Sequence, residues 1–588
     1  MNYTPPYTLK DTFKGFTLDQ DKTISPQQTV KQFRERLKSL DLDILKDTVR
    51  IDNGRLDIPV FFSRCGRDAR SIINTKKQMG KGATPSQAEA SAVMELAERF
   101  SFFSFYKNQE NFFIDQYKNL EKRAIPFKLI ARSVHDDGDE LTISRNIFEK
   151  IPLKWTMAYN YTRQEEMLVP INWFYTINEF NGPCAGNAPE EALLQGICEV
   201  VERHVSAIVS HKQVKVPGIR PESATDPIVK EMLAKYEKAG IKLFLSDFTL
   251  KMGIPTISIV AYDPSTFPQK SEIVWTAGTT PNPEKALSRA LTEVAQLAGD
   301  FNSNSNYAAS GLPKPRNLEA ITFIVTPDTW LNISELPNIS NNNLKVEVEN
   351  CILALADRNL EVLAVNTEHE TLQIPSFYTI IPGAHFRERA LGTSVAMFSA
   401  KIISETYAPK DAIKALTEIN QLLPKKYYVW FYLGANYLQL EEPHTALDHF
   451  QRALDLRPNS QDIPSIFSYM GVCLKDMGRY KEALDVLREG ITFDSERTDI
   501  HNLMGFCWFM LKEHEKSIAC FKKVVQLNPS SAIDYANIAS NYRDLGNTSK
   551  AIKYYELAIK LDPTIDFALK NLLKLQSNGR EMRCRFDA

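Results

Sequence analysis

The chain has 588 residues, 43% of them hydrophobic and 24% charged, with a formal net charge of −2. That length allows three or more domain-sized units, and the near-zero charge excludes a global field that would gather nucleic acid or an anionic membrane. Eight scattered cysteines form no C-x-x-C pair and no Cys/His zinc spacing, and no apolar run reaches about 18 residues. The expectation is therefore a cytoplasmic protein in a reducing compartment, bound to neither membrane nor nucleic acid.

Residues 1–392 alternate short β-like runs (DIPVFF, EEMLVPINWFY, TISIVAY, ITFIV and EVLAV) with helical segments. This alternation predicts an α/β (α+β) domain with its core at about 50–390. The Asn- and Ser-rich stretches 301–317 and 338–343 read as exposed loops.

Three helical segments of this domain share one arrangement: a Gly-x-x-Pro lead-in, an Ala, then polar residues at i, i+4 and i+7. The first runs Gly82 to Pro85, Ala88, then Ser91, Glu95 and Glu98. The second runs Gly186 to Pro189, Ala192, then Gln195, Glu199 and Glu202, and Glu191 extends its stripe by one turn. The third runs Gly278 to Pro281, Ala286, then Arg289, Glu293 and Gln296. At 100° per residue these positions share one helical stripe. In two copies Arg follows directly, as Arg99 and Arg203.

A solvent-facing stripe would place Lys at i+4 from Glu to relieve repulsion, whereas here acids stack on acids or amides. The repetition predicts that the three stripes converge on one cleft. Glu95, Glu98, Glu199, Glu202 and Glu293 would repel there unless a cation neutralised them, and hard oxygen ligands select Mg²⁺. Lys81, Arg99, Arg203 and Arg289, with glycine-led helix N-termini, suit a polyphosphate, which makes ATP with Mg²⁺ the economical occupant. Lys81 is followed by Gly82, so a Walker loop is excluded. Cys184, Cys198 and His204, beside the second copy, read as packed residues.

From 393 to 575 small residues and prolines recur at a fixed interval. Ala446, Ala483, Ser517 and Ala551 keep the same spacings as Gly434, Gly471, Gly505 and Ala539, and as Pro458, Ser495, Pro529 and Pro563. Three columns in one register predict tetratricopeptide repeats, an all-α solenoid whose first repeat is degenerate and which leaves 576–588 as a tail. Ala412 and Pro424 carry the register one repeat upstream, and aromatics such as Tyr437, Phe450 and Phe521 read as core.

The blocks GKGATPSQAEASAVMELAERF, NGPCAGNAPEEALLQGICEVVERH and ALSRALTEVAQ resemble the signature segments of the YcaO superfamily, over about residues 50–390. The resemblance implies a domain that holds ATP and Mg²⁺ on such glutamate-bearing helices and phosphorylates a peptide-backbone amide oxygen. Carried over, Ser91, Glu95, Glu98, Glu199, Glu202, Arg203, Glu293 and Gln296 are the expected nucleotide and magnesium site. Asn187, Glu191, Gln195 and Arg289 are expected neighbours, and Lys81 a phosphate contact. The five glutamates are the expected metal ligands, and no catalytic residue is singled out.

The chain closes on REMRCRFDA, where azoline-forming members often carry a proline-rich tail. That turns the expectation toward stand-alone members, some named as accessory factors for methylthiolation of a ribosomal protein. The expected partners are a peptide or protein substrate and a separate protein held by the repeats; homodimerisation is the alternative use of the repeats. The two functional classes are an ATP-dependent amide-activating enzyme, forming for example a thioamide or azoline, and a non-catalytic nucleotide-binding scaffold.

Overall fold

The computed structural model describes residues 7–178, 180–303, 307, 309, 311–386 and 393–586, with side chains as far as 577. The chain divides into two compact units, 1–395 and 396–588.

In the first unit, Leu45–Arg50, Val60–Cys65 and Lys77–Lys81 form a three-stranded antiparallel sheet. A five-stranded sheet runs in the order Val274–Thr279, Thr256–Tyr262, Lys242–Asp247, Gly218–Ile219, Trp330–Leu331. The third runs Phe113–Gln116, Pro152–Asn160, Leu363–Asn366, Ser376–Ile380, Pro183–Ala185, with Glu165–Pro170 also paired to Pro152–Asn160.

Each sheet ends on an edge strand that feeds one of the three motif helices. Lys77–Lys81 leads to the first (Pro85–Lys107), Pro183–Ala185 to the second (Pro189–Lys212), and Val274–Thr279 to the third (Pro283–Ala298). Every helix folds back on its own strand and also packs on the strand of another copy. The first touches Pro183–Ala185, the second Val274–Thr279 and the third Lys77–Lys81. The three copies thus close into a ring.

Helix and strand approach closely because the facing residues are small. A Cβ at Gly80 would stand 2.0 Å from the Ala92 nitrogen, and one at Gly278 would stand 2.3 Å from the Ala286 oxygen. In the second copy the roles are exchanged. The strand carries Cys184 and the helix carries Gly196, whose Cβ would lie 2.7 Å from the Cys184 sulfur.

Three local expectations are corrected. Proline begins all three helices, at Pro85, Pro189 and Pro283, so the third lead-in is Asn282–Pro283 rather than Gly278 to Pro281. Gly278 sits within the strand, where it matches Gly80. ITFIV is not a strand: Glu319–Ile321 is a 3₁₀ turn that runs into the short helix Thr322–Val325. Within EEMLVPINWFY only Glu165–Pro170 is extended, and Ile171–Asn178 is helical. Short apolar runs do not separate strand from buried helix by periodicity.

In the second unit, after Val395–Thr406 and Pro409–Leu422, helical hairpins stack: Tyr427–Gln439 with Pro443–Asp455, Ile463–Asp476 with Tyr480–Phe493, Thr498–Met510 with His514–Leu527, and Ala532–Asp544 with Thr548–Leu561. The last helix, Asp566–Phe586, continues past 575, where a tail was expected. Inside the hairpins, Gly434 faces the Phe450 ring, Gly471 faces Leu487 and Gly505 faces Phe521. Ala446, Ala483, Ser517 and Ala551 are fully buried on the second helices.

Candidate functional site

The three motif helices surround a polar cavity of about 530 Å³. Lys81, Ser91, Glu95, Glu98, Asn187, Glu191, Gln195, Glu199, Arg203, Arg289, Glu293 and Gln296 all line it. Glu202, the remaining expected member, stands behind the wall, 3% exposed. It touches two cavity cations, Arg203 at 3.3 Å and Arg289 at 3.4 Å.

The acids are neutralised from within the protein. Arg99 Nε donates to Glu95 at 3.0 Å and lies 3.5 Å from Glu98. Arg203 lies 3.7 Å from Glu199, Lys81 pairs with Glu293, and Arg289 donates to Gln195 at 2.9 Å. Among the described residues no three acidic, histidine or cysteine side chains gather at metal-holding spacing; the carboxylates reach the cavity singly or in twos, each beside a cation.

Burial sets the titration of this cluster. It drives the Glu98 carboxyl well above its ordinary range, aided by the nearby Glu95 charge and opposed by Arg99. It also raises Glu199, against the pull of Arg203 and Arg99. Burial, then repulsion from Arg289, brings the Lys81 ammonium down to about 7. Burial also pushes the Cys184 thiol far up. His204 is buried and neutral, its pKa lowered to about 4 by desolvation.

The chemistry of the donor set fits ATP and Mg²⁺. Gln87 Oε1, Glu202 Oε2 and Arg203 Nε are buried without a hydrogen-bond partner, and a buried polar atom left unpaired is costly unless a ligand satisfies it. The helix N-termini are less available than expected. Thr84 caps the first motif helix by accepting from Gln87 N–H, and Asn282 caps the third by accepting from Glu284 and Lys285.

Sequence reasoning missed the N-terminal segment. Gln20, Lys22, Ile24, Pro26 and Thr29 complete the cavity wall. Thr23 donates to Glu191 through both its N–H, at 3.0 Å, and its hydroxyl, at 3.1 Å. Thr29 bonds Asn187 at 3.1 Å. Buried Asp19 accepts from Ala83 N–H at 2.7 Å and from the Ser288 hydroxyl at 3.0 Å, tying the first motif helix to the third. Glu191 and Asn187 therefore hold this strap and each other, at 3.0 Å. Nothing in the spacing of residues 19–29 announces such long-range bonds.

A ring of acid- and arginine-bearing helices around one polar cavity defines a nucleotide-binding α/β domain. The family described as YcaO cyclodehydratase, ATP- and Mg²⁺-binding, matches residues 79–385, and the chain belongs to it. ATP and Mg²⁺ are accordingly its cofactors. Tetratricopeptide repeats match at 427–460 and 535–565. An uncharacterised protein of Methanothermobacter thermautotrophicus is 26% identical over 385 residues, which are 62% of this chain and 94% of that one. The ribosomal protein S12 methylthiotransferase accessory factor YcaO of Escherichia coli is 28% identical over 243 residues, 37% of this chain and 40% of that one. A solved heterocyclase in complex with substrate and cofactor shares the fold, with a TM-score of 0.52 at 20% identity over 65% of this chain and 55% of its own. Among the described residues no helix is long and apolar enough to cross a membrane.

Proposed function

We propose that this cavity is the ATP and Mg²⁺ site of an enzyme that activates a backbone amide of a peptide or protein for modification, such as thioamide or azoline formation. The observation that carries the reading is the convergence of three acid stripes and their cations on one cavity. Glu95, Glu98, Glu199 and Glu293, which line the cavity, are the magnesium ligands, and Glu202 supports Arg203 and Arg289 from behind the wall. Lys81, Ser91, Gln195, Arg203, Arg289 and Gln296 hold the nucleotide, while Asn187 and Glu191 act through the strap they anchor.

An amide oxygen is a poor leaving group, and bound ATP supplies the phosphoryl group that turns it into a good one. This chain's part is to orient the groups and neutralise charge in a site fixed in advance. Burial of Glu98 and Glu199 beside arginines makes their charge contingent on a cation, so loading with metal and loading with nucleotide reinforce each other. The repeats recruit the substrate or a partner protein.

Calorimetry with ATP and Mg²⁺ on wild type and on Glu199→Ala with Glu202→Ala tests the site. Affinity should fall about 100-fold or more, as expected from losing two charged contacts; an unchanged affinity removes the assignment. The E. coli relative's designation as an accessory factor favours a second reading, a nucleotide-binding scaffold. Phosphate release on addition of a peptide substrate supports the enzyme, and tight ATP binding without turnover supports the scaffold.

A further inference from the structure

Arg203 occupies a demanding position in the cavity wall. It pairs with Glu202 and Glu199, while its Nε has no hydrogen-bond partner. Gly311, beyond the third motif helix, comes close against it. A Cβ built on Gly311 would stand 2.4 Å from Arg203 Nη1, 2.8 Å from its Cδ and 3.3 Å from its Cζ, and these are the three nearest atoms. The Gly311 backbone lies outside the left-handed region, so the obstacle to a side chain there is the close approach of Arg203 rather than backbone strain.

Glu272 fixes this loop on both sides of the glycine. Its Oε2 accepts from Tyr307 N–H at 3.0 Å, and its Oε1 pairs with Lys314 at 2.8 Å. The Lys314 ammonium also lies 4.6 Å from the centre of the Tyr307 ring, the Tyr307 hydroxyl donates to the Ile273 carbonyl at 3.2 Å, and Leu312 is buried.

We propose that Gly311 is a positioning residue: its bare backbone, in a loop held by Glu272, leaves the room in which the Arg203 guanidinium sits while it pairs with Glu199 and Glu202. The inference rests on the reading of Arg203 as a nucleotide-site cation. A methyl group at 311 meets Arg203 first and displaces it from this seat, and release of Glu272 frees the loop on which the seat depends.

The test is ATP and Mg²⁺ calorimetry on the full chain with Gly311→Ala, Arg203→Ala, the double variant and Glu272→Ala. Gly311→Ala should weaken ATP about tenfold at an unchanged melting temperature, with the double variant no weaker than Arg203→Ala alone, since coupled residues are non-additive. Glu272→Ala, which leaves the cavity residues intact, should weaken ATP about threefold and provides the same reading if Gly311→Ala does not fold. Wild-type affinity in both Gly311→Ala and Glu272→Ala, or losses that add in the double variant, overturns the positioning role while leaving the nucleotide site standing. Normal ATP binding by Arg203→Ala overturns the nucleotide reading of that residue and the inference with it.

Discussion

Both units are built by repetition, and they use their copies in opposite ways. In the second unit the copies are consecutive, and each closes a hairpin by setting a small residue against a large one, as Gly471 does against Leu487. The packing repeats position by position, so Ser517 can stand in a column of alanines only because its buried hydroxyl donates to the Gly505 carbonyl at 2.8 Å. In the first unit the copies lie about a hundred residues apart and meet around one cavity. There the copies diverge without breaking the ring. Arg289 replaces the leading polar residue, and Cys184 with Gly196 reverses the strand–helix contact. A linear array demands equal interfaces, whereas a closed ring demands complementary ones.

The sharpest way to break this comparison is one substitution made in both units. Gly80→Ala drives a methyl group into backbone, the Ala92 nitrogen and the Ala88 oxygen, and should destabilise the first unit by about 3 kcal/mol or more. Gly471→Ala meets the Leu487 side chain first, which can turn aside, and alanine favours the helix. Its net cost should be about 1 kcal/mol. Chemical denaturation followed separately for the two units checks both; equal losses would dissolve the distinction.

The first unit also carries a stack that is sensitive to acid. The His135 and His385 rings lie 3.8 Å apart and nearly parallel, and His204 continues the stack at 5.3 Å. Burial, then repulsion from His135 and His204, with Lys212 and His211 adding, lowers the His385 pKa to about 3. The unfolded chain therefore binds more protons between about 6.5 and 3, and stability falls as pH drops through that window. With allowance for its partial exposure the loss should be about 1 kcal/mol by pH 5. Melting curves for wild type and His385→Gln should converge on acidification; parallel pH dependence would remove the stack as the cause. The smallest effect belongs to Ser517→Ala, within about 0.5 kcal/mol of wild type, because the lost hydrogen bond is offset by helix propensity. A loss several times larger would show that the column is not filled by size alone.

Much of this molecule is written in local spacing. The i, i+4, i+7 stripes and the three repeat columns depend only on helical geometry and residue size, so the motif helices, the hairpins and the twelve expected residues that line the cavity could be read without coordinates. The lead-in of the third helix could not, because Gly278 serves strand packing while Pro283 starts the helix. Glu202 looked equivalent to its neighbours on the stripe, but its place behind Arg203 and Arg289 depends on where three distant helices meet. The strap through Asp19 and Thr23, and the seating of Gly311 on Arg203, were equally hidden. Such contacts join residues tens to hundreds of positions apart and leave no period in the chain; only the closed ring of strands and helices decides them.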